Sequence, residues 1–139
     1  MKLTFVDASV LIAAAVGTEE IARVAMQVLD DPERCFASSA FVKLETLPKP
    51  TFHRQNDERQ FYTEFFDAVS KWAEVGEPLV RAAFEEACKV GLSAMDSLHV
   101  AAAGQVGADE IVTAEKSTKP LLRSTLVPVM TIQRDRPAV

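Results

Sequence analysis

The sequence predicts an α/β fold in which a parallel sheet is covered by helices on both faces. Apolar, β-branched runs alternate along the chain with stretches of helical periodicity, and this alternation is typical of parallel sheets. The 139 residues suit one domain with a sizeable core, and no internal repeat divides them. We therefore expect a single domain over residues 1–133 and a loose tail at residues 134–139.

The first part of the chain predicts two strands and three helices. The run "KLTFV" has the character of a buried strand and passes directly into "DASVLIAAAVG", an alanine-rich helix that Gly17 ends. The segment "TEEIARVAMQVLDD" carries an apolar stripe at helical spacing, and Pro32 closes this second helix. A short strand, "RCFASS", then ends in serines that can cap the next helix, "AFVKLETL", which stops at Pro48.

The middle of the chain predicts a helical arm between the second and third strands. A turn-rich, basic connection, "PKPTFHRQN", leads into a helix from Asp57 to Trp72, in which Phe61, Phe65 and Val69 recur at helical spacing. This helix and the one before it make up the expected arm. A very short third strand is expected near "AEVGEP".

The last part of the chain predicts two helices and two further strands. Pro78 opens the helix "PLVRAAFEEACKV" and Gly91 ends it, and "SAMDSLHVAAAGQVG" is a second, alanine-rich helix. The strand "EIVTA" follows, and then come a polar loop, "EKSTKP", a short helical turn, "LLRS", and the strand "LVPVMTI". The chain thus offers about five strands, and ligands of parallel sheets bind at the carboxyl ends of the strands.

Composition and charge exclude several classes of protein. Hydrophobic residues make up 48% and charged residues 25%, which is typical of globular domains and not of disordered or collagen-like chains. Cys35 and Cys88 are too few for a disulfide framework or a cysteine zinc site, and we expect both to be core thiols. No apolar stretch approaches the roughly 20 residues that span a bilayer, and no signal peptide is found. We therefore expect no membrane association and a cytoplasmic location.

Four acidic residues stand at positions where a buried carboxylate is costly unless it reaches water, a helix end or a cation. Asp7 follows the first strand, Glu115 follows the fourth, and Asp96 stands near the start of an apolar helix. Glu45 shares a helix face with two apolar residues. Each acid also has a simpler interpretation. Asp7 can be an N-cap, Asp96 part of a capping box, Glu45 one half of an ion pair with Lys or Arg, and Glu115 a loop residue.

Taken together, the four acids predict a metal site. The carboxyl ends of parallel strands meet at one edge of the sheet, so these side chains are expected to converge there. Converging carboxylates repel one another unless a cation is present, and oxygen-rich sites suit Mg²⁺ or Mn²⁺. Such a site favours metal-dependent phosphodiester cleavage. No Gly-rich phosphate loop competes with this interpretation, and His99 is expected to be a hydrogen-bonded structural histidine.

Four motifs, in order, resemble the PIN-domain family of Mg²⁺- or Mn²⁺-dependent ribonucleases, which includes the VapC-like toxins. They are "FVDASVLI", "KLE", "SAMDSLHVAAA" and "EIVTAEK", and together they cover nearly the whole chain. The resemblance implies a three-layer α/β/α sandwich with a helical arm and an acidic pocket for one or two metal ions. It implies that Asp7, Glu45 and Asp96 are catalytic metal ligands and that Ser9 and Thr113 support them.

The fourth acidic position departs from the family pattern. The family usually has Asp in a "T-x-D-x-x-F" context, whereas this chain has "TAEKSTKP", so Glu115 is one methylene longer and the aromatic is absent. We expect Glu115 to be the fourth catalytic, metal-binding acid. The alternative is a catalytically silent PIN-like module that binds RNA or protein. A haloacid-dehalogenase-like phosphatase is disfavoured, because it needs a second Asp where Ser9 stands.

The resemblance also implies partners: an RNA substrate, a second copy in a homodimer and, for the toxin members, an antitoxin protein. Since the net charge is −5, the chain as a whole does not attract RNA, and bound metal and local basic residues must do so. The candidate RNA-binding residues flank the acids in the sequence: Lys43, Lys49, His53, Arg54, Lys116, Lys119 and Arg123. The alternative for these residues is a solvated charged face.

Overall fold

A computed structural model describes residues 1–133 of the protein and contains a five-stranded sheet. The strands are β1 (Lys2–Val6), β2 (Arg34–Ser38), β3 (Lys71–Trp72), β4 (Glu110–Thr113) and β5 (Val129–Thr131). Their order in the sheet is β3-β2-β1-β4-β5, and each pairing is parallel. The predicted tail at residues 134–139 lies outside the described residues.

Helices cover both faces of this sheet. They are α1 (Ala8–Val16), α2 (Glu19–Leu29), α3 (Ala40–Thr46), α4 (Pro48–Phe52), α5 (Asn56–Ala68), α6 (Glu77–Val90) and α7 (Ala94–Gln105), with a 3₁₀ turn at Pro120–Arg123. Helix α1 packs against α2, α3 and α5, and α6 packs against α7. Because the strand order reverses after β3, right-handed crossovers place α6 and α7 on the face opposite α1 to α5. The predicted three-layer α/β/α sandwich is confirmed.

The helical arm lies between β2 and β3 as predicted, but its first part is more regular than the sequence suggests. Where a turn-rich connection is predicted, "PKPTF" forms the short helix α4. Pro48 and Pro50 both stand in its first turn, where a missing N–H costs no helical hydrogen bond. The prolines therefore start a helix here instead of preventing one.

The arm also ends earlier than predicted. Helix α5 stops at Ala68, and Val69 takes an extended conformation instead of continuing the helix to Trp72. Lys71 and Trp72 pair with the edge of β2 and form β3, so the third strand precedes the predicted "AEVGEP". Backbone pairing with an open sheet edge outweighs the helical spacing of the apolar side chains at this point.

The register of the central strands places two of the predicted acids at the same edge. Val6, the last residue of β1, pairs with Val112 of β4. The next backbone N–H, that of Asp7, donates to the Val112 carbonyl at 3.0 Å. Asp7 therefore lies beside Thr113, and Thr113 precedes Glu115 by two residues. None of the helices in residues 1–133 is long and apolar enough to cross a membrane.

The core lies on both sides of β1, and it leaves the two thiols outside. Phe5 and Val6 are completely buried in the central strand. Cys35 is half-buried and Cys88 is exposed, so the prediction of two core thiols is wrong. Cys88 follows the exposed Phe84 by one turn and therefore shares the outer face of α6.

A buried acid at the amino edge of the sheet is neutralised by the protein's own cations. Glu110, at the start of β4, has only 4% of its surface exposed. Its Oε2 accepts hydrogen bonds from Thr4 Oγ1 at 2.7 Å and from Arg34 Nε at 3.1 Å. Lys2 Nζ lies 3.7 Å from the other carboxylate oxygen. This arrangement contrasts with the acids at the carboxyl edge.

Candidate metal centre

Asp7 lies between β1 and α1, with only 5% of its surface exposed. Its backbone stands at the N-cap position of α1, but its side chain makes no capping hydrogen bond. Instead, Oδ2 accepts hydrogen bonds from Thr113 Oγ1 at 2.8 Å and from Ser9 Oγ at 3.0 Å. The interpretation of this carboxylate as a helix cap is therefore wrong, because the side chain turns towards β4.

Ser9 and Thr113 hold Asp7 in this orientation and connect it to the loop after β4. Their hydroxyl oxygens lie 3.2 Å apart. Ser9 Oγ also accepts from the backbone N–H of Ala114 at 2.9 Å, and Thr113 Oγ1 accepts from that of Glu115 at 3.1 Å. The two residues thus orient a buried carboxylate and also the backbone that carries Glu115.

Glu45 approaches the same place from α3. This helix begins at a serine cap, as predicted, since Ser39 Oγ accepts from the backbone N–H of Phe41 at 3.2 Å. The Glu45 side chain is 35% exposed, and its Oε1 is in hydrogen-bond contact with Nε2 of His99. Within residues 1–133 Glu45 forms no ion pair with Lys or Arg, so that alternative is wrong. Its partner is a buried histidine.

Asp96 lies half-buried in the first turn of α7. Ser93 caps the helix as predicted, since its Oγ accepts from the backbone N–H of Asp96 at 3.2 Å. Burial raises the pKa of the Asp96 carboxyl, and the charges of Asp7 and Glu45 raise it further, whereas His99 and Ser93 lower it. The backbone of Asp96 therefore serves the cap, while its carboxylate lies in the field of other acids.

Glu115 lies half-buried just beyond β4. Burial raises the pKa of its carboxyl, as do the charges of Asp96, Asp7 and Glu45, and Lys119 lowers it. The pKa of a loop glutamate surrounded by solvent would not be raised by three acids from three other parts of the chain. Glu115 therefore lies within range of the charges of Asp7, Glu45 and Asp96 at the carboxyl edge of the sheet.

His99 completes the cluster from α7, with only 1% of its surface exposed. Its Nε2 lies 3.8 Å from Asp7 Oδ1, in addition to its contact with Glu45. Burial lowers the pKa of His99, but the hydrogen bond to Glu45 and the charges of Asp7, Glu45 and Asp96 raise it by more. The net result is a pKa above the ordinary value of 6.5.

The donor set of this cluster fits a divalent cation. An oxygen each from Asp7 and Glu45 and a nitrogen from His99 lie within 4.8 Å of one another. Carboxylate oxygens are the ligands that Mg²⁺ and Mn²⁺ prefer in proteins. Burial first, and then the neighbouring acids, raise the pKa of Asp96 and Glu115, so their ionised forms are disfavoured here without a further cation.

Comparison with known proteins identifies the family. The family model of the PIN domain matches residues 4–119, which include all four acids. The chain belongs to the PIN domain family. No curated protein sequence matches the chain.

Solved structures share the fold of this PIN domain at low sequence identity. A chain in the crystal structure of VapBC2 from Rickettsia felis bound to a DNA fragment from its promoter has a TM-score of 0.67 and 11% identity, over 93% of this chain and 98% of that one. A chain in the crystal structure of DNA-bound VapBC from Salmonella typhimurium has a TM-score of 0.63 and 11% identity, over 96% and 100% of the two chains. At this identity the likeness establishes the fold.

Three of the predicted RNA-binding residues lie beside the acids of this PIN domain. Lys49 and His53 line a groove of about 530 Å³ between α1 and the helical arm, and Glu45 lines the same groove. Lys119 is close enough to Glu115 to lower its pKa. Lys49 and Lys119 thus lie near two different acids, Glu45 and Glu115.

The remaining predicted RNA-binding residues have other surroundings. Lys43 Nζ lies 4.6 Å from the centre of the indole ring in β3, and Arg123 donates to a backbone carbonyl at the end of α6 at 3.3 Å. Lys116 is exposed in the loop after β4, and Arg54 is exposed with a positive φ of 56°. Lys43 and Arg123 are therefore already engaged in contacts within the fold.

Sequence reasoning does not place His99 in the site of this PIN domain. The residue is hydrogen-bonded, as predicted, but its partner is Glu45, a predicted metal ligand. A signal is present in the spacing, because His99 follows Asp96 by three residues and so lies on the same face of α7. The spacing does not reveal that α3 packs against that helix and brings Glu45 to the ring.

Proposed function

We propose that this PIN domain is a metal-dependent endoribonuclease in which Asp7, Glu45, Asp96 and Glu115 hold Mg²⁺ or Mn²⁺. The observation that carries the proposal is the approach of donor atoms from Asp7 and Glu45 to within 4.8 Å of each other, with Asp96 and Glu115 close enough to be affected by the charges of both. Burial and mutual repulsion raise the pKa of Asp96 and Glu115, and a bound cation would relieve that repulsion.

The opposite edge of the sheet supports this interpretation by contrast. There, Glu110 is buried against Arg34 and Lys2, so the chain itself supplies the neutralising charge. For Asp96 and Glu115, by comparison, the positive charges that lower the pKa do not outweigh burial and the neighbouring acids. We therefore expect a neutralising cation at the carboxyl edge to bind from solution.

The chemistry of the proposed reaction divides between the cation and the chain. When bound, the cation would supply a Lewis acid and activate a water for attack on a phosphodiester. The chain keeps the acids in place: Ser9 and Thr113 hydrogen-bond Asp7, and His99 contacts Glu45. Such support of metal ligands by their neighbours commonly changes metal affinity about 10- to 100-fold.

The proposed substrate is single-stranded RNA, reached in the cytoplasm. Lys49 lines the groove beside Glu45, and Lys119 lies near Glu115, so both are placed to attract phosphates on either side of the acids. The two structures described above are complexes of VapBC with DNA, which supports a toxin role and an antitoxin partner for this chain. A homodimer is proposed on the resemblance to the family alone.

Cleavage of single-stranded RNA with and without Mn²⁺ or Mg²⁺ tests the proposed activity. We expect cleavage only with the metal, and none by the double variant Asp7→Asn with Asp96→Asn. The matched control is Asp67→Asn with Glu85→Gln, which removes two exposed acids elsewhere and should leave cleavage intact. Cleavage by the Asp7 and Asp96 variant at the wild-type rate would refute the assigned site.

A second candidate function is a catalytically silent PIN-like module that binds RNA or protein. Glu115 favours it, since the fourth acid is one methylene longer than the Asp usual in the family. Thermal unfolding with Mn²⁺ separates the two functions, because a ligand that binds the folded state raises the Tm. A Tm that does not change with Mn²⁺ would favour the silent module.

A further inference from the structure

We propose that His99 is a positioning residue that holds Glu45 in the acidic cluster and is not itself a ligand of the metal. This inference rests on the proposed metal site, and it separates the residue that binds the metal, Glu45, from the residue that holds it in place, His99. It starts from an asymmetry between the two side chains: only 2% of the His99 side chain is exposed, against 35% of the Glu45 side chain. The ring belongs to the buried interior, and the glutamate reaches it from the surface.

Glu45 needs such a support more than the other acids do. It has a long side chain on an exposed position of α3, and its freedom to point into solvent works against a defined ligand position. Asp7, by contrast, is buried and held by Ser9 and Thr113 through one carboxylate oxygen. The contact with His99 does for Glu45 what the two hydroxyl groups do for Asp7.

The direction of this contact argues against ligation through Nε2. The edge of the ring that carries Nε2 faces Oε1 of Glu45, and a carboxylate oxygen accepts a hydrogen bond from that nitrogen. A metal ion at Nε2 would have to replace this contact and displace the proton that it holds. The other nitrogen, Nδ1, is buried and has no hydrogen-bond partner within the described residues.

The distance to Asp7 fits the same assignment. Nε2 lies 3.8 Å from Asp7 Oδ1, which is too long for a hydrogen bond. The ring therefore stands next to both carboxylates but is bonded to one of them. Its contact occupies Oε1 of Glu45, and the second oxygen of that carboxylate makes no hydrogen bond within the described residues. That second oxygen is the one available to a cation.

Mn²⁺ binding to the full chain, measured by electron paramagnetic resonance of the free ion, tests the proposal without any activity assay. We expect His99→Leu to weaken Mn²⁺ binding about 10- to 100-fold, the range found when the support of a metal ligand is removed. His99→Gln should recover most of this loss, because its amide N–H can donate from about the position of Nε2. Pulsed electron paramagnetic resonance of the wild-type protein with Mn²⁺ bound should show no hyperfine coupling from a histidine nitrogen.

A double-mutant cycle keeps the test informative if His99→Leu folds poorly. Glu45→Ala changes an exposed side chain. His99→Asn, whose amide is too short to reach Oε1 of Glu45, should weaken Mn²⁺ binding in the wild-type background but cause no further loss in the Glu45→Ala background, because His99 acts through Glu45. Val28→Ala, a core substitution in α2, is the control for destabilisation alone and should leave Mn²⁺ affinity unchanged.

The outcomes separate this proposal from the proposed function. Nitrogen coupling to Mn²⁺, or an additive loss in the double variant, would show that His99 is itself a ligand and would overturn the positioning role. Wild-type affinity in His99→Leu would overturn it as well, while leaving the metal site intact. A wild-type protein that binds no Mn²⁺ would overturn both the positioning role and the metal-dependent function.

Discussion

Thr113→Val is expected to destabilise the metal-free protein by about 2–4 kcal/mol, because one hydroxyl group connects Asp7 to the loop of Glu115. Thr113 is completely buried at the end of β4. Its Oγ1 donates to Asp7 Oδ2 at 2.8 Å and accepts from the backbone N–H of Glu115 at 3.1 Å. Valine keeps the branched shape of the side chain and removes both hydrogen bonds.

The magnitude follows from these two contacts. A hydrogen bond to an ionised acceptor contributes about 1.5–3 kcal/mol, and a partly buried backbone N–H left without a partner costs about 1 kcal/mol or more. We expect part of this stability to be recovered, because the Ser9 hydroxyl, 3.2 Å from Thr113 Oγ1, can reorient towards the group left without a partner. The expected change is a large share of the roughly 5–15 kcal/mol by which a domain is stable.

Urea unfolding of the metal-free protein at neutral pH measures this change. With a slope of about 2 kcal/mol per molar urea, the midpoint should fall by about 1–2 M. The matched control is Thr63→Val on α5, where an exposed hydroxyl donates to a backbone carbonyl at 2.9 Å and the expected change is below about 0.5 kcal/mol. Equal midpoints for the two variants would refute the role given to Thr113.

Two further predictions concern the charge of the cluster. The raised pKa values of Asp96 and Glu115 mean that their ionised forms destabilise the fold, and this effect is relieved as the pH falls through those values. The raised pKa of His99 adds stability below the ordinary value of 6.5 that is lost as the pH rises through the folded value. The metal-free Tm should therefore rise as the pH falls from about 8 to the ordinary His99 value of 6.5. Saturating Mn²⁺ should reduce this slope, and calorimetry that finds the same slope with Mn²⁺ would contradict the argument. Glu115→Gln should weaken Mn²⁺ binding about tenfold or more in titration calorimetry. Glu115→Asp, which keeps the carboxylate, should bind Mn²⁺ within a few-fold of the wild-type affinity. Wild-type affinity in Glu115→Gln would show that Glu115 is not a ligand.

The arrangement of strands and acids was predictable where local pattern and topology agree. The apolar run of β1 ends at Asp7, and that of β4 ends two residues before Glu115. Since parallel strands share one edge, the proximity of these two acids follows from the sequence once the sheet is parallel. The serine caps of α3 and α7 were also predicted correctly, because a helix cap depends on only a few consecutive residues.

The arm was less predictable, because long-range pairing competes there with local periodicity. The spacing of apolar residues continues helically to Trp72, but the backbone at Lys71 and Trp72 finds hydrogen bonds at the open edge of β2. Pro48 and Pro50 were misleading for a related reason, since proline is compatible with the first turn of a helix as well as with a turn. Neither outcome can be read from a window of neighbouring residues.

Local sequence patterns are enough to predict an α/β domain that resembles the PIN family, with Glu in place of Asp at the fourth acidic position. How the acids are held depends instead on contacts between elements that are far apart in the sequence. Asp7 has a side chain that turns away from its helix to Thr113, 106 residues along the chain. Glu45 is held by a histidine that is 54 residues away in sequence and belongs to another helix. Periodicity reports which face of an element is buried, whereas the partner opposite that face depends on how distant elements pack.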